Sequence, residues 1–186
     1  MPIRCPWVND NPLMVHYHDR EWGMPKHDDR VLFEYLILDA FQAGLSWNTI
    51  INKRANFKKA FDNFDYNKIA KYSDKDKSRL MHDAGIIRNK QKIEASIVNA
   101  QQFIKLKSEF GSFDKYIWQF VSNKTINHKI KSIKSYQAKT KESDVMSLDL
   151  KKRGFKFVGS TICYAFMQAA GLVNDHTVDC FRHKEV

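Results

Sequence analysis

The apolar residues of this chain recur at the spacing of helices, and no stretch alternates convincingly with a period of two. Residues 31–41 are apolar on nearly every side, which is typical of a helix buried on all its faces. Gly44 ends this helix, and Ser46 is placed to cap the next one, over residues 47–64. A long amphipathic pattern covers residues 88–109. We therefore predict an all-α fold.

Capping residues and glycines indicate where the other helices begin and end. Ser73 and Asp76 resemble a capping box, and Gly85 breaks the helix that follows them. Further helices are expected over residues 113–121, over 144–153 behind a Ser143 cap, and over 162–171 behind a Thr161 cap. Residues 1–28 have no clear period. Residues 122–142 carry six lysines and little apolar mass, and we interpret them as a solvated basic loop.

Length and composition indicate one folded unit. The chain has 186 residues, of which 43% are hydrophobic, and this is enough to build a core. Glycine and proline together number 11, which is few for a many-stranded sandwich with its many turns. We expect residues 1–186 to form a single domain of two helical lobes that acts as a monomer.

The net charge of +10 favours a polyanionic partner, above all nucleic acid, although a lysine-rich chain can also be basic without binding one. The sequence has no apolar run of about 18 residues, the length a membrane-spanning helix needs, and no basic amphipathic helix stands out. Residues 1–14 contain Pro6, Asp10 and Pro12 and lack the apolar core of a secretory signal. We therefore expect a cytoplasmic protein without a membrane partner.

Three cysteines, Cys5, Cys163 and Cys180, are an odd number that argues against a disulfide framework. Cys5 and His18 lie near one end of the chain, and His176 and Cys180 lie near the other, where they could share one helical turn. Two thiolates and two imidazoles complete a tetrahedral zinc shell, and a filled shell is structural. Spacing alone also allows Cys5 and Cys180 to be small residues near the termini. Cys163 lies on an apolar helix face and is interpreted as core.

Between residues 31 and 41 only Glu34 and Asp39 are charged, and a buried charge is costly unless it is paired. Asp39 shares a helix face with Gln42, and Trp47 follows beyond the end of the helix. Other side chains that could join this group are Ser46, Tyr17 and Trp22. Such a group fits a pocket for a flat, cationic or amino-bearing ligand. Alternatively, Asp39 pairs with a buried arginine or caps a neighbouring helix.

Two segments have the character of phosphate contacts. Residues 83–90 place Gly85 in a turn between two helices, with Arg88 and Lys90 close behind it. Residues 151–161 place three consecutive basic residues before another helix start. Backbone N–H groups at helix starts bind phosphate, but either segment could equally be a solvated face.

Four long stretches resemble DNA-3-methyladenine glycosylase type I, a family of the helix-hairpin-helix superfamily. They are RCPWVNDNPLMVHYHDREWGMP (4–25), QAGLSW (42–47), DAGIIRNKQKI (83–93) and KKRGFKFVGSTICYAFMQAAGLVNDH (151–176). The resemblance is collinear over almost the whole chain, as far as Cys180, and only residues 106–142 are unremarkable.

The resemblance implies a helical enzyme that flips 3-methyladenine out of double-stranded DNA and hydrolyses its N-glycosidic bond. No lysine nucleophile is implied, so no lyase activity is expected. The implied structural zinc is held by Cys5, His18, His176 and Cys180. The implied pocket aromatics are Tyr17, Trp22 and Trp47, with Asp39 and Tyr17 as the catalytic residues and Gln42 and Ser46 beside them. The implied DNA contacts are a wedge of Gly44 and Leu45 and a hairpin that includes Gly85, Arg88 and Lys90.

The sequence departs from the family pattern at Asp39, where the family usually has glutamate. The charge is kept, but the side chain is one methylene shorter. The hairpin also lacks the second glycine that is common in the superfamily. We expect Asp39 to accept a hydrogen bond from the amino edge of the cationic base, or to stabilise the sugar cation or orient water. Stacking on Trp47 and Tyr17 favours an electron-poor ring.

Two other classes of protein compete with this interpretation. A zinc hydrolase or nucleobase deaminase needs an open coordination position and, for deaminases, an H-x-E…P-C-x-x-C pattern, which this chain does not contain. A zinc-containing DNA-binding module without enzymatic activity would not need Asp39 and Gln42 in an apolar helix. Release of free 3-methyladenine from alkylated DNA separates the three.

Overall fold

The computed structural model describes residues 2–186, which form nine α-helices and one pair of two-residue strands. The helices are α1 (Pro12–Arg20), α2 (Asp29–Gln42), α3 (Trp47–Ala60), α4 (Tyr66–Ile69), α5 (Asp74–His82), α6 (Lys90–Phe110), α7 (Phe113–Trp118), α8 (Lys141–Lys152) and α9 (Ser160–Ala169). The strands are β1 (Ile126–Asn127) and β2 (Val173–Asn174), paired in parallel with Ile126 beside Val173. Short 3₁₀ turns cover Asp62–Phe64, Gln119–Val121, Ile133–Ser135 and Phe181–Lys184. The prediction of an all-α fold is confirmed in that the chain is mostly helical. The two strands are too short to produce an alternating pattern in the sequence.

The centre of the protein is α2, in which every residue from 32 to 41 is buried. The carboxylate of Asp28 caps its start by accepting from the N–H groups of Arg30 and Val31 at 2.9 and 3.0 Å. The helix packs against α3, α6, α7 and α9. The apolar pattern on all sides thus places α2 in the core, as predicted, and it carries Asp39 into the interior.

Local cap signals correctly located the starts of α3 and α5. The hydroxyl of Ser46 accepts from the N–H of Thr49 at 3.1 Å at the start of α3. At α5 the N–H of Ser73 donates to the carboxylate of Asp76 at 2.9 Å, which completes the predicted capping box. Gly85 lies between α5 and α6, as expected.

Helix α1 was missed by the sequence reasoning. The side chain of Asn11 caps it by accepting from the N–H of Leu13 at 3.0 Å, and Pro12 occupies its first position, where a missing N–H costs nothing. The helix buries only Met14, Tyr17 and His18. A buried stripe this short cannot establish a period in the sequence.

Two predicted helix starts were wrong by a few residues. Helix α8 starts at Lys141 behind a Thr140 cap, and Ser143 lies in its first turn, where its hydroxyl accepts from the N–H of Thr140 at 2.8 Å. Helix α9 starts at Ser160 after Gly159, so Thr161 lies inside it. In both cases the hydroxyl lies within the first turn instead of preceding it.

The lysine-rich residues 122–142 are only in part the expected solvated loop. All six lysines are exposed. However, Ile130 is buried and its carbonyl accepts from the N–H of Val178 at 2.8 Å, and β1 pairs with β2. The segment is therefore attached to the C-terminal part of the chain. Among residues 2–186, no helix is both long and apolar enough to cross a membrane.

Candidate functional site

A cavity of about 540 Å³ opens between α1, the turn that follows α2, the start of α3, and α9. Its volume lies in the range of small-molecule sites. All six residues that were predicted to form a pocket line it, namely Tyr17, Trp22, Asp39, Gln42, Ser46 and Trp47. The structure therefore brings the predicted pocket residues together from three separate helices and the loops beside them.

Asp39 lies at the inner wall of this cavity on α2. Its side chain is 2% exposed, and its Oδ2 has no hydrogen-bond partner among residues 2–186. Burial disfavours the charged form, so the pKa of Asp39 is raised well above its usual range. A buried carboxylate without a partner costs stability, and this cost points to a ligand that supplies the missing donor or charge.

Glu34, the other buried carboxylate of α2, is paired, in contrast to Asp39. The guanidinium of Arg54 donates to Glu34 at 2.6 Å and to Glu21 at 2.6 Å, and the hydroxyl of Tyr35 also donates to Glu21 at 2.7 Å. The alternative in which Asp39 pairs with a buried arginine is therefore wrong, because no arginine among residues 2–186 forms an ion pair with Asp39, and Arg54 is bound to Glu34 and Glu21.

Aromatic rings form a large part of the cavity wall. The rings of Tyr17 and Trp47 have centroids 5.0 Å apart, and those of Trp7 and Trp22 are 4.8 Å apart. Burial, together with the nearby Tyr35 and Asp39, raises the pKa of the Tyr17 hydroxyl well above its usual value, so the hydroxyl stays protonated at neutral pH. These rings offer electron-rich faces that attract a positively charged, flat molecule.

Sequence reasoning missed several residues of the wall. Trp7, Met14, Tyr136 and Gln168 line the cavity, as do Ile133 and Gln137 of the lysine-rich segment. Gln168 lies three residues after Ala165 on α9, and this spacing could have indicated a shared face. No local signal points to Tyr136, because its segment reaches the cavity only through its attachment to the C-terminal residues.

The turn between α2 and α3 stands at the mouth of the cavity. Gly44 has a φ of +77°, which favours glycine, and the following Leu45 is 41% exposed. The N–H of Leu45 donates to the carbonyl of Gln42 at 2.6 Å. Because Gln42 and Ser46 both line the cavity, Leu45 projects into solvent directly beside its opening.

The turn between α5 and α6 is a separate surface. The N–H of Gly85 donates to Asp83 at 2.7 Å, and its carbonyl accepts from Asn56 at 3.3 Å. A Cβ at position 85 would lie 3.1 Å from the side chain of Asn56, so glycine permits this close approach. Arg88 and Lys90 are exposed beyond the turn, at the start of α6. The other candidate phosphate segment exposes Lys151 and Lys152 at the end of α8.

Cys5, His18, His176 and Cys180 meet at one buried point, with their donor atoms within 4.8 Å of one another. The Sγ of Cys5 is 3.4 Å from Nδ1 of His176, and the Sγ of Cys180 is 3.4 Å from Nε2 of His18. Zinc–sulfur and zinc–nitrogen bonds at a tetrahedral angle place S and N atoms about 3.6 Å apart. The donor types and their separations therefore fit one zinc ion.

The second nitrogen of each imidazole also has a partner. Nδ1 of His18 lies 2.8 Å from Asp19, and Nε2 of His176 donates to the carbonyl of Trp22 at 3.0 Å. Metal-binding histidines are usually oriented in this way. Since Trp22 lines the cavity, the four-residue cluster supports one of its walls.

The expectation that His176 and Cys180 share a helical turn is wrong. Residues 177–180 form a tight turn, closed by a hydrogen bond from the N–H of Cys180 to the carbonyl of Thr177 at 2.8 Å. This turn, and not a helix, brings the Sγ of Cys180 to 3.5 Å from Nδ1 of His176.

The free polar atoms of the cavity define what it can bind. Four buried atoms of lining residues have no hydrogen-bond partner among residues 2–186, namely Asp39 Oδ2, Trp7 Nε1, Trp47 Nε1 and the Tyr136 hydroxyl. Buried polar atoms in folded proteins are nearly always paired, so these four are available to a ligand. An acceptor carboxylate, two indole donors, a phenol hydroxyl and aromatic faces suit a flat heterocycle that carries positive charge, donors and acceptors.

Comparisons with known proteins agree with this description. A model of the family described as methyladenine glycosylase matches residues 7–183. DNA-3-methyladenine glycosylase 1 of Escherichia coli (strain K12) is 46% identical over 177 residues, which cover 95% of each chain. A crystal structure of 3-methyladenine DNA glycosylase I superposes with a TM-score of 0.94 at 46% identity, covering 96% of this chain and 98% of the other.

A structure of a variant 3-methyladenine DNA glycosylase I in complex with 3-methyladenine superposes with a TM-score of 0.93 at 34% identity, covering 96% of each chain. These likenesses extend over nearly the whole length of this protein and include the helices that build the cavity. The chain therefore belongs to the methyladenine glycosylase family.

Proposed function

We propose that this protein is a monofunctional DNA glycosylase that releases 3-methyladenine from alkylated double-stranded DNA. The observation that carries the proposal is Asp39, a buried carboxylate without a partner in an aromatic cavity. The relative from Escherichia coli is named for activity on 3-methyladenine in DNA, and a related structure contains that base. The six predicted pocket residues already meet within a single chain, so the site needs no second copy, and we propose that the protein acts as a monomer.

The chemistry of the lesion explains why so few catalytic groups are needed. Methylation at N3 gives the adenine of the nucleotide a formal positive charge, so its glycosidic bond is weak and the base departs as a neutral molecule. A strong general acid is unnecessary. The protein has to extrude the nucleotide, select the damaged base and stabilise the cationic character that develops on the sugar.

Asp39 and the aromatic residues of the cavity have different roles in binding the base. Tyr17 and Trp47 provide faces on which a cationic base stacks, and Trp22 closes the side next to the four-residue cluster. Asp39 accepts a hydrogen bond from the amino edge of the base. A cation beside Asp39 lowers the pKa that burial has raised, so binding of the damaged base favours the carboxylate. Undamaged, neutral adenine provides no such compensation. Gln42 and Ser46 supply polar groups at the opening.

Two surfaces provide the DNA contacts in this proposal. Leu45 fills the space that the flipped nucleotide leaves in the duplex, because it is exposed beside the cavity mouth. The second surface is the hairpin formed by α5, the following turn and the start of α6, which contains Gly85, Arg88 and Lys90. This hairpin binds phosphates through its backbone N–H groups and its basic side chains. Membership of the helix-hairpin-helix superfamily is part of this proposal.

We also propose that Cys5, His18, His176 and Cys180 hold one zinc ion. All four positions of a tetrahedral shell are then occupied by the protein, so zinc supplies a cross-link between the N-terminal and C-terminal segments and takes no part in the reaction. The cluster orients Trp22 through its bond from His176, which gives the metal an indirect role in the shape of the pocket.

Lyase activity requires an amine that attacks the sugar, and none of the residues that line the cavity in the described chain is a lysine. The buried Lys92, close to the hairpin, is not available as such a nucleophile, because its ammonium group donates hydrogen bonds to the carbonyl groups of Phe41 and Ala43 at the end of α2. We therefore propose that the product is an abasic site in an intact strand.

The test is incubation of the purified protein with methylated duplex DNA, followed by chromatography of the released bases and electrophoresis of the strand. Free 3-methyladenine with an uncut strand is expected. Binding to DNA without base release would instead indicate a non-enzymatic zinc module, and a converted base that remains in the strand would indicate a deaminase. The substitution Asp39→Asn serves as the inactive control.

A further inference from the structure

A second polar centre lies behind the cavity wall, around the carboxylate of Asp175. Asp175 is fully buried and accepts three hydrogen bonds, from the hydroxyl of Tyr164 at 2.5 Å, from Nε2 of Gln168 at 2.7 Å and from His128 at 2.6 Å. Of these residues only Gln168 lines the cavity. Asp175 therefore connects the packing behind α9 to one polar group of the pocket.

This hydrogen bond determines which end of the Gln168 amide the pocket receives. A carboxylate only accepts hydrogen bonds, so the NH₂ group of Gln168 has to face Asp175. The carbonyl Oε1 is then the free end of the amide, and it makes no hydrogen bond to any of residues 2–186. Rotation of the amide would place two acceptors against each other, which the buried position of Asp175 makes costly. Gln168 thus presents an oriented acceptor.

We propose that Gln168 is a specificity-determining residue, whose Oε1 accepts a hydrogen bond from the exocyclic amino group of the adenine base. This inference rests on the proposed function. An amino group has two N–H bonds, and Asp39 on α2 and Gln168 on α9 supply one acceptor for each; these two helices pack against each other. Together they recognise a 6-amino purine and disfavour a 6-oxo purine, which would place a third acceptor between them.

The distinctive prediction is a coupling between Gln168 and the amino group of the ligand. Binding of free 3-methyladenine and of 3-methylpurine, which lacks the amino group, is measured by quenching of tryptophan fluorescence in the wild type and in Gln168→Met. Loss of one hydrogen bond should weaken 3-methyladenine binding about tenfold in the variant and leave 3-methylpurine binding unchanged. Gln119→Met, at an exposed position away from the cavity, is the matched control and should alter neither affinity.

Equal weakening of both ligands in Gln168→Met would overturn the inference, because it would show a general effect on the shape of the pocket. If the methionine variant melts early, Gln168→Asn provides the same comparison, since it keeps an amide but withdraws it by one methylene. Base release from methylated DNA by the wild type is measured in parallel. If the wild type releases the base but Gln168→Met does not discriminate between the two ligands, only the role of Gln168 is contradicted. If the wild type neither releases the base nor binds free 3-methyladenine, the proposed function is contradicted as well.

Discussion

The ammonium group of Lys92 on α6 lies 2.6 Å from the carbonyl oxygen of Ala43, at the point where α2 ends. It also donates to the carbonyl of Phe41 at 2.8 Å, and its side chain is buried. A cation at the end of a helix satisfies carbonyl groups that have no partner within the helix and interacts favourably with the helix dipole. Lys92 thereby connects the helix of the proposed DNA hairpin to the turn that carries Gly44 and Leu45.

The substitution Lys92→Met tests this connection. It removes the hydrogen bonds to one buried and one partly buried carbonyl group and should destabilise the protein by roughly 2 kcal/mol. Because the turn of Gly44 and Leu45 loses its support, base release from duplex DNA should fall more than the affinity for free 3-methyladenine. Thermal melting and single-turnover release are the measurements. Lys105→Met, at an exposed position of the same helix, should change neither, and equal behaviour of the two variants would refute the connection.

Leu45→Ala tests the wedge. An exposed leucine contributes little to folding, so the melting temperature should be unchanged. Release of 3-methyladenine from duplex DNA should fall about tenfold or more, because the side chain that fills the gap left by the flipped nucleotide is removed. Leu148→Ala, which truncates a more exposed leucine on α8, is the matched control. Unchanged release by Leu45→Ala would remove Leu45 from the mechanism.

The hairpin should contribute measurably to the salt dependence of DNA binding. Affinity for undamaged duplex should fall steeply with salt, and the combined substitutions Arg88→Gln and Lys90→Gln should reduce the slope of log K against log salt by about 2, near 0.9 for each phosphate group that the protein no longer neutralises. Lys105→Gln with Lys115→Gln removes the same charge from other exposed positions. If both pairs change the slope equally, net charge and not the hairpin is responsible.

Asp39 should be a residue that costs stability and provides activity. Burial raises the pKa of Asp39, so the folded protein binds the proton of this carboxyl group more tightly than the unfolded chain does. The stability that comes from this tighter proton binding is fully present below about pH 4, the ordinary pKa of aspartate. It is lost as the pH rises through the raised pKa of the folded protein. Asp39→Asn should therefore melt at a higher temperature than the wild type at neutral pH, by about 2–4 °C for each kcal/mol gained, and this advantage should vanish in acid.

The same variant should lose about 10²-fold or more in release of 3-methyladenine, because the cationic base no longer meets a carboxylate in a desolvated pocket. Asp39→Glu should keep the activity or raise it, since the longer side chain has the reach that is usual in the family. Melting curves over pH and single-turnover release, measured on both variants, decide the matter. A stable and fully active asparagine variant would contradict the catalytic role of Asp39.

The four-residue cluster should contain one zinc ion per chain, detectable by elemental analysis of the native protein. Cys5→Ala should lose the metal and several kcal/mol of stability, because structural zinc binding contributes directly to folding. Cys163→Ala is the control, because this buried cysteine lies in the core outside the cluster and its loss should leave the zinc content at one. Native protein without any bound metal would refute the site.

Local sequence signals and tertiary packing contributed different parts of the site. The cap at Ser46 and the capping box at Ser73 are bonds between residues three apart, so the sequence contains all that they require. Helix α1 was missed although its cap is equally local, because a nine-residue helix with three buried side chains gives too weak a pattern. The metal ligands were assigned through the family resemblance, since their spacing alone left other interpretations open.

The sequence by itself determined that α2 is buried and that it carries two carboxylates, Glu34 and Asp39, into the interior. It could not determine which of the two is paired, because Arg54 reaches Glu34 only through the packing of α3 on α2. Likewise, Gln168 becomes an oriented acceptor only because folding brings Asp175 behind it. Periodicity and caps depend on neighbours in the chain, whereas the charge state and hydrogen-bond partners of a buried group depend on side chains that only the tertiary structure brings together.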